Sequence, residues 1–166
     1  MRIRLLPILA LFVCVCLPAA PATGHAGELD LTKALVIGHG PKTVIEFTDP
    51  DCPFCRKAAA YFSTRTDLTA YIFFMPLPKH PEAKRKAQYI LSQPHPATAY
   101  HEVMAGKLDH VDILKLHTTP RGIQLQRQQF EIARKAGIEA TPTFMLFGRI
   151  VEGFDLPEIE ALLGKR

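Results

Sequence analysis

Cysteines at positions 52 and 55, separated by Pro53 and Phe54, constrain this chain more than any other feature. A C-x-x-C pair is compatible with half of a zinc site, a structural disulfide, or a redox couple that opens and closes in use. The other two cysteines, Cys14 and Cys16, fall in an apolar run over residues 5–17 that follows Arg2 and Arg4. Small residues at cleavage spacing come next, in Ala20-Pro21-Ala22 and Gly24-His25-Ala26, which is the layout of a secretory signal peptide over 1–26. The run is shorter than the roughly 20 apolar residues a membrane span needs. Cleavage after Ala22 or Ala26 leaves one mature domain, 27–166, whose cysteines are Cys52 and Cys55. In an oxidising compartment stray thiols pair, and within this domain these two have only each other.

The remaining composition narrows the choice. The formal charge of +4 falls to +2 without Arg2 and Arg4, too mild to suggest nucleic-acid binding. A structural zinc site takes about four ligands. His39, His80, His95, His101, His110 and His117 form no H-x-x-x-H pair, and each is expected at the surface, so no metal is expected. A structural disulfide closing so short a ring would constrain little of the unfolded chain. The redox couple leads, with metal delivery and a structural disulfide behind it.

Periodicity and turn residues divide the domain into alternating elements. A short helix is expected over 30–37, capped by Asp30, and strands over 43–48 and 70–75. Cys52 opens a helix with Pro53 in its first turn. Residues 80–106 read as two helices broken at Pro94-His95-Pro96, with Lys84, Arg85 and Lys86 forming a solvated face. A helix over 122–136, a strand over 143–147, a turn at Gly148-Arg149 and a strand over 150–152 follow. A last helix starts at Asp155, with Glu158 three residues on. Strand-helix-strand implies a parallel pair and the closing hairpin an antiparallel one, which together make an α/β domain around one mixed sheet.

Thiol–disulfide exchange needs a thiolate, and a thiol with a pKa near 8.5 is only about 3% ionised at pH 7. A sulfur at a helix N-terminus faces unpaired N–H groups and the positive end of the dipole. Cys52 occupies that place and is the expected attacking thiol. Cys55, one turn inside the helix, is the expected resolving thiol. Asp49 and Asp51 oppose thiolate formation, and Arg56 and Lys57 favour it.

Three segments give the chain a family resemblance: Phe47-Thr48-Asp49-Pro50-Asp51-Cys52, the run 101–107 (HEVMAGK), and the run 136–142 (AGIEATP). With the helical insert they resemble the periplasmic thiol:disulfide interchange proteins of the DsbC/DsbG type. The resemblance implies a thioredoxin-like fold, with a mixed central sheet flanked by helices and a helical insertion. It implies an exported protein thiol-disulfide oxidoreductase of the isomerase or reductase kind, needing no cofactor. A DsbA-like oxidant and a non-catalytic chaperone or binding module are the alternatives. Catalytic roles go to Cys52, Cys55 and Glu46, the last either a buried acid that takes the Cys55 proton or a strand residue facing solvent. Substrate contacts go to Pro53, Phe54, Thr141 and Pro142, with the Thr141–Pro142 bond cis and the Thr141 backbone pairing with a substrate strand. Pro-Phe stands where such isomerases commonly carry Gly-Tyr. The implied partners are cysteine-containing exported client proteins and a membrane redox partner, in the periplasm, with no nucleic acid. DsbC-type proteins dimerise through an N-terminal domain, and the about sixteen residues between Ala26 and the strand at Thr43 are too few for one. A monomer is therefore expected.

Overall fold

The computed structural model describes residues 29–165, and the expected leader at 1–26 lies outside them. Asp30 does cap a helical turn, its carboxylate accepting from the Thr32 N–H, but that turn is a single 3-10 unit, Leu31–Lys33. Ala34 is extended and the chain enters strand β1, Leu35–Gly38. The helix expected over 30–37 is thus mostly a strand, because β-branched Val36 and Ile37 find an antiparallel partner in the third strand.

The other elements lie close to where the pattern places them. They are β2 (Lys42–Thr48), α1 (Pro53–Phe62), β3 (Leu68–Phe74), α2 (Ala83–Ser92), α3 (Pro96–Met104), α4 (Pro120–Lys135), β4 (Thr143–Leu146), β5 (Arg149–Glu152) and α5 (Leu156–Leu163). Proline sits in the first turn of α1, α3, α4 and α5, where its missing N–H costs nothing. Asp155 caps α5 by accepting from the Glu158 N–H at 3.0 Å.

The five strands form one sheet in the order β1-β3-β2-β4-β5. Strands β2 and β3 are parallel, and the other three pairings are antiparallel. Side chains alternate across β2. Ile45 and Phe47 pack on one face with Phe73, Met75, Phe130 and Ala133, beneath α4. Val44 points to the other face, where Ala58 of α1 and Ile159 and Leu163 of α5 cover it. By the same alternation Glu46 and Thr48 share the α1 face, although both are polar and both are buried. The helical insert, α2 and α3, extends that face through Ala87, Ile90, Ala99, Tyr100 and Val103, which join one core with Cys52 and Cys55.

Two of the three basic residues on α2 depart from the solvated face expected of them. Lys84 is exposed. Arg85 donates to Thr118 Oγ1 at 2.9 Å and to the Leu116 carbonyl at 2.8 Å, fixing the connection between α3 and α4. Lys86 is buried, for reasons given below.

Gln129 of α4 is fully buried and joins three elements. Its Oε1 accepts from the Phe74 N–H at 3.0 Å, and its Nε2 donates to the Lys33 carbonyl at 2.6 Å. Gln129→Leu leaves both backbone groups unpaired in an apolar setting. It should lower unfolding stability by roughly 2–4 kcal/mol in urea titrations. A midpoint matching the wild type would show that these bonds contribute nothing net.

Candidate active site

Strand β2 ends at Thr48, and the segment Asp49-Pro50-Asp51 carries the chain into α1. The Cys52 N–H donates to the Asp49 carbonyl at 3.1 Å, and Asp49 Oδ1 accepts from the Asp51 N–H at 2.8 Å. An aspartate bonding the backbone two residues on is a compact turn, and here it sets Cys52 as N-cap of α1. Asp49 is fully buried, and Oδ2 accepts from the Leu77 N–H at 2.7 Å and lies 2.9 Å from His80 Nδ1. His80 is thus the exception to the surface placement expected of the histidines. Its side chain is drawn in because the buried carboxylate needs a further polar partner.

Both cysteines are buried and both are free thiols, so the structure describes the reduced couple. The Cys52 thiol makes no cap bond to its own helix, and it donates to the Thr141 carbonyl at 3.4 Å. The N–H groups that open α1 are therefore left for the thiolate. Cys52 is held down at about 5, first by the Cys55 thiol and then by the backbone N–H groups of Cys55 and Phe54. Burial and the Asp49 carboxylate pull the other way. Cys55, fully buried, is pushed well up by desolvation, by its bond to Cys52 and by the charge of Glu46. The Asp49 N–H also donates to Cys55 Sγ at 3.4 Å. One sulfur is ready to attack at neutral pH, and the other keeps its proton.

Glu46 is 1% exposed, so the solvent-facing alternative does not hold. Its Oε1 has no hydrogen-bond partner among the described residues, and burial raises the carboxyl to about 7. Glu46 lines a cavity of about 240 Å³ that is also lined by Ala59, Tyr100 and His101. Tyr100, from the insert, is buried, and desolvation raises its hydroxyl, with Glu46 and Cys55 adding to the effect.

The remaining sequence candidates gather at the same edge. The Thr141–Pro142 peptide is cis. Phe47 pairs with Thr143 across β2 and β4, which carries the preceding loop to the end of the sheet where Cys52 lies. Pro142 itself is buried, Thr141 is half-buried, and Glu139 and Ala140 before them are exposed. Pro53 is exposed and Phe54 is 57% exposed, with Lys57 Nζ 5.4 Å from its ring centroid.

Residues 29–163 match a thioredoxin-like domain family. The chain belongs to it. Among solved structures, this thioredoxin-like chain is 32% identical to a disulfide interchange protein from Neisseria gonorrhoeae. That match covers 80% of this chain and 94% of the other, with a TM-score of 0.68. A periplasmic thioredoxin-like protein from Salmonella enterica serovar Typhimurium is 19% identical, over 83% and 91% of the two chains, with a TM-score of 0.65. A thioredoxin-like oxidoreductase from Silicibacter pomeroyi DSS-3 is 22% identical, over 79% and 90%, with a TM-score of 0.62. These last two share the fold. No curated protein sequence matches the chain.

The thioredoxin-like site also contains residues that the motif did not bring forward: Asp49 as a buried bracket, His80 beside it, and Tyr100 near Glu46. Only the first had a local signal, since Asp-Pro-Asp before a helix is turn chemistry. Arg56 and Lys57, expected to favour the thiolate, are both engaged with other partners. Arg56 donates to the Pro50 carbonyl at 2.7 Å and to Asp109 at 2.6 and 2.7 Å, and Lys57 lies over Phe54.

Alkylation of the reduced thioredoxin-like protein should modify Cys52 first, with a rate that titrates near pH 5. Faster labelling of Cys55 would reverse the roles. For Glu46, the folded state holds the proton more tightly than the unfolded chain, whose ordinary value is 4.5. Its contribution to stability is therefore greatest below pH 4.5 and declines as pH rises to about 7. Glu46→Gln removes that loss, so it should gain about 3 kcal/mol on the wild type between pH 4 and pH 8. Parallel pH–stability curves for the two proteins would show Glu46 to be ordinary.

Proposed function

We propose that the protein is an exported thiol-disulfide oxidoreductase that acts on cysteine-containing client proteins through Cys52 and Cys55. The observation that carries this reading is the split of environments within the pair, with Cys52 as the N-cap of α1 facing its first N–H groups and Cys55 fully buried one turn inside, a direction that the lowered Cys52 and raised Cys55 thiols share. A structural disulfide needs no such split, and among the described residues no group of three metal-ligating side chains forms a metal site.

In the reducing direction, the Cys52 thiolate attacks one sulfur of a client disulfide. A Cys52–client bond forms, and the client's other sulfur leaves as a thiolate. Cys55 then passes its proton to the Glu46 carboxylate, which at a pKa of about 7 is partly ionised at neutral pH. The Cys55 thiolate attacks Cys52 and expels the second client thiolate. The client has gained two electrons and the protein is left as the Cys52–Cys55 disulfide. Run backwards, the same steps oxidise a client, and half a cycle each way isomerises one. The Thr141 backbone, beside Cys52, would hold the client as an added strand, with Pro53 and Phe54 at the rim.

Direction is the finer question. The DsbC/DsbG resemblance favours reduction or isomerisation. The low Cys52 value favours the DsbA-like alternative, because a stabilised thiolate stabilises the reduced protein and makes the couple a stronger oxidant. The leader pattern favours a periplasmic setting, where a membrane partner would reset the couple. We take the protein to be a monomer that binds no nucleic acid. Its exposed large apolar residues are scattered over β1, α1, α4, the α3–α4 connection and the β4–β5 hairpin.

The couple should equilibrate with glutathione at a potential between about −270 and −120 mV, the values of thioredoxin and of DsbA. A value near the upper limit identifies an oxidant, and one near the lower limit a reductase. Cys52→Ser should abolish exchange while keeping the fold. Undiminished activity on clients in that variant would identify a binding module instead.

A further inference from the structure

A cluster of five charged side chains from three parts of the chain meets just before the attacking cysteine. Lys86 keeps only 3% of its side-chain surface, and its Nζ lies 2.6 Å from Asp51 Oδ1 and 3.3 Å from both Asp109 Oδ1 and Glu82 Oε2. Arg56 grips Asp109 with both terminal nitrogens, reaches Asp51 Oδ1 at 3.1 Å, and donates from Nε to the Pro50 carbonyl at 2.7 Å. Asp51 is the residue before Cys52. The helical insert is thereby tied to the peptide that delivers the nucleophile.

Burying a lysine carries a desolvation cost that an apolar side chain would avoid. Lys84, two positions earlier on the same helix, stays in solvent. A gain in packing alone does not explain the charge at position 86, whereas the chemistry of its neighbour does. Cys52 is faced by the Cys55 thiol and the first N–H groups of α1, by the Asp49 carboxylate, and by the Thr141 carbonyl from the loop before β4. Asp49 is already held by two N–H groups and His80. Asp51 is the second carboxylate of that segment, and its compensation comes from Lys86 and Arg56.

We propose that Lys86 is a positioning residue of the redox couple: with Arg56 it neutralises Asp51 and clamps the Pro50–Asp51 peptide, so that Asp51 does not add to the opposition that Asp49 already offers a thiolate on Cys52. The proposal rests on the reading of Cys52 as the nucleophile. It makes the insert a tuning element of the couple. With Lys86 in place, three carboxylates face two cations. Removing the lysine charge leaves three against one, which raises the Cys52 pKa, weakens the reduced form and makes the couple more reducing. Removing the charge of Asp109 leaves two against two and acts in the opposite sense.

The test compares wild type, Lys86→Met, Lys86→Arg and Asp109→Asn in the full protein. Two quantities are read, the Cys52 pKa from thiolate absorbance and the equilibrium with glutathione. Lys86→Met should raise the pKa and move the equilibrium about tenfold toward the disulfide, about 30 mV. Asp109→Asn should move both quantities the other way, and Lys86→Arg should stay near wild type. Should Lys86→Met fail to fold, Lys86→Gln removes the same charge and keeps a polar group. A shift of the same sign in the lysine and aspartate variants, or lower stability with unchanged pKa, overturns the proposal. A wild-type Cys52 that titrates as an ordinary thiol overturns the nucleophile reading itself, and is seen before any variant is compared.

Discussion

An uncapped helix start is the constraint on which the rest of this molecule depends. The first N–H groups of any helix lack partners within it, and an N-cap usually supplies an oxygen to receive one. Here the N-cap is a cysteine, whose neutral thiol makes no such bond and turns instead to the Thr141 carbonyl. The helix therefore gains an acceptor only when Cys52 ionises. What the backbone lacks and what the thiolate needs are met by the same groups, which makes deprotonation part of completing the fold. Pro53 fits this arrangement, since it opens the helix without adding a further donor.

That thiolate sits among three carboxylates, and each is handled differently. Asp49 is buried and ionisable, so it is wrapped by the N–H groups of Asp51 and Leu77 and approached by His80. Asp51 is half-buried and is met by two cations. Glu46 has neither kind of partner on Oε1, and burial keeps it protonated to a higher pH instead. A carboxyl held near 7 can change state near neutral pH. The three environments thus separate two acids that shape the loop from one that can carry a proton.

Much of this was legible in the sequence, and the reasons differ from residue to residue. The strands at 43–48 and 70–75 carry β-branched and aromatic runs bounded by proline, so local preference and tertiary packing agree. Cys52 as N-cap and Cys55 one turn inside follow from spacing alone. Segment 30–37 reads as a helix because Asp30 gives a true cap signal, but that helix lasts one turn. What extends the next four residues is a partner strand thirty-odd positions away, which no local window contains. Glu46 was ambiguous because strand periodicity says which residues share a face without saying which face is covered. Lys86 reads as solvated since a basic run on a helix usually is, and its partners Asp51 and Asp109 are distant in sequence. His80 and Gln129 are cases of the same kind, polar residues whose burial is decided by the backbone and side-chain groups that they must satisfy.

A consequence follows for the relation between motif and chemistry. The C-x-x-C spacing places two sulfurs on one turn of helix, and it does so in any chain that begins a helix there. The acidity of the first sulfur comes from the Cys55 thiol and the Phe54 and Cys55 N–H groups, and it is opposed by burial and by a carboxylate the motif does not contain, Asp49 from the loop before it. Tyr100, the fifth residue of α3, is the insert's buried hydroxyl near this site, raised by desolvation and then by Glu46 and Cys55. The sheet and α1 fix where exchange takes place. The insert packs over the same face of the sheet and shares one core with both cysteines, so the couple is enclosed by elements far from the motif in sequence.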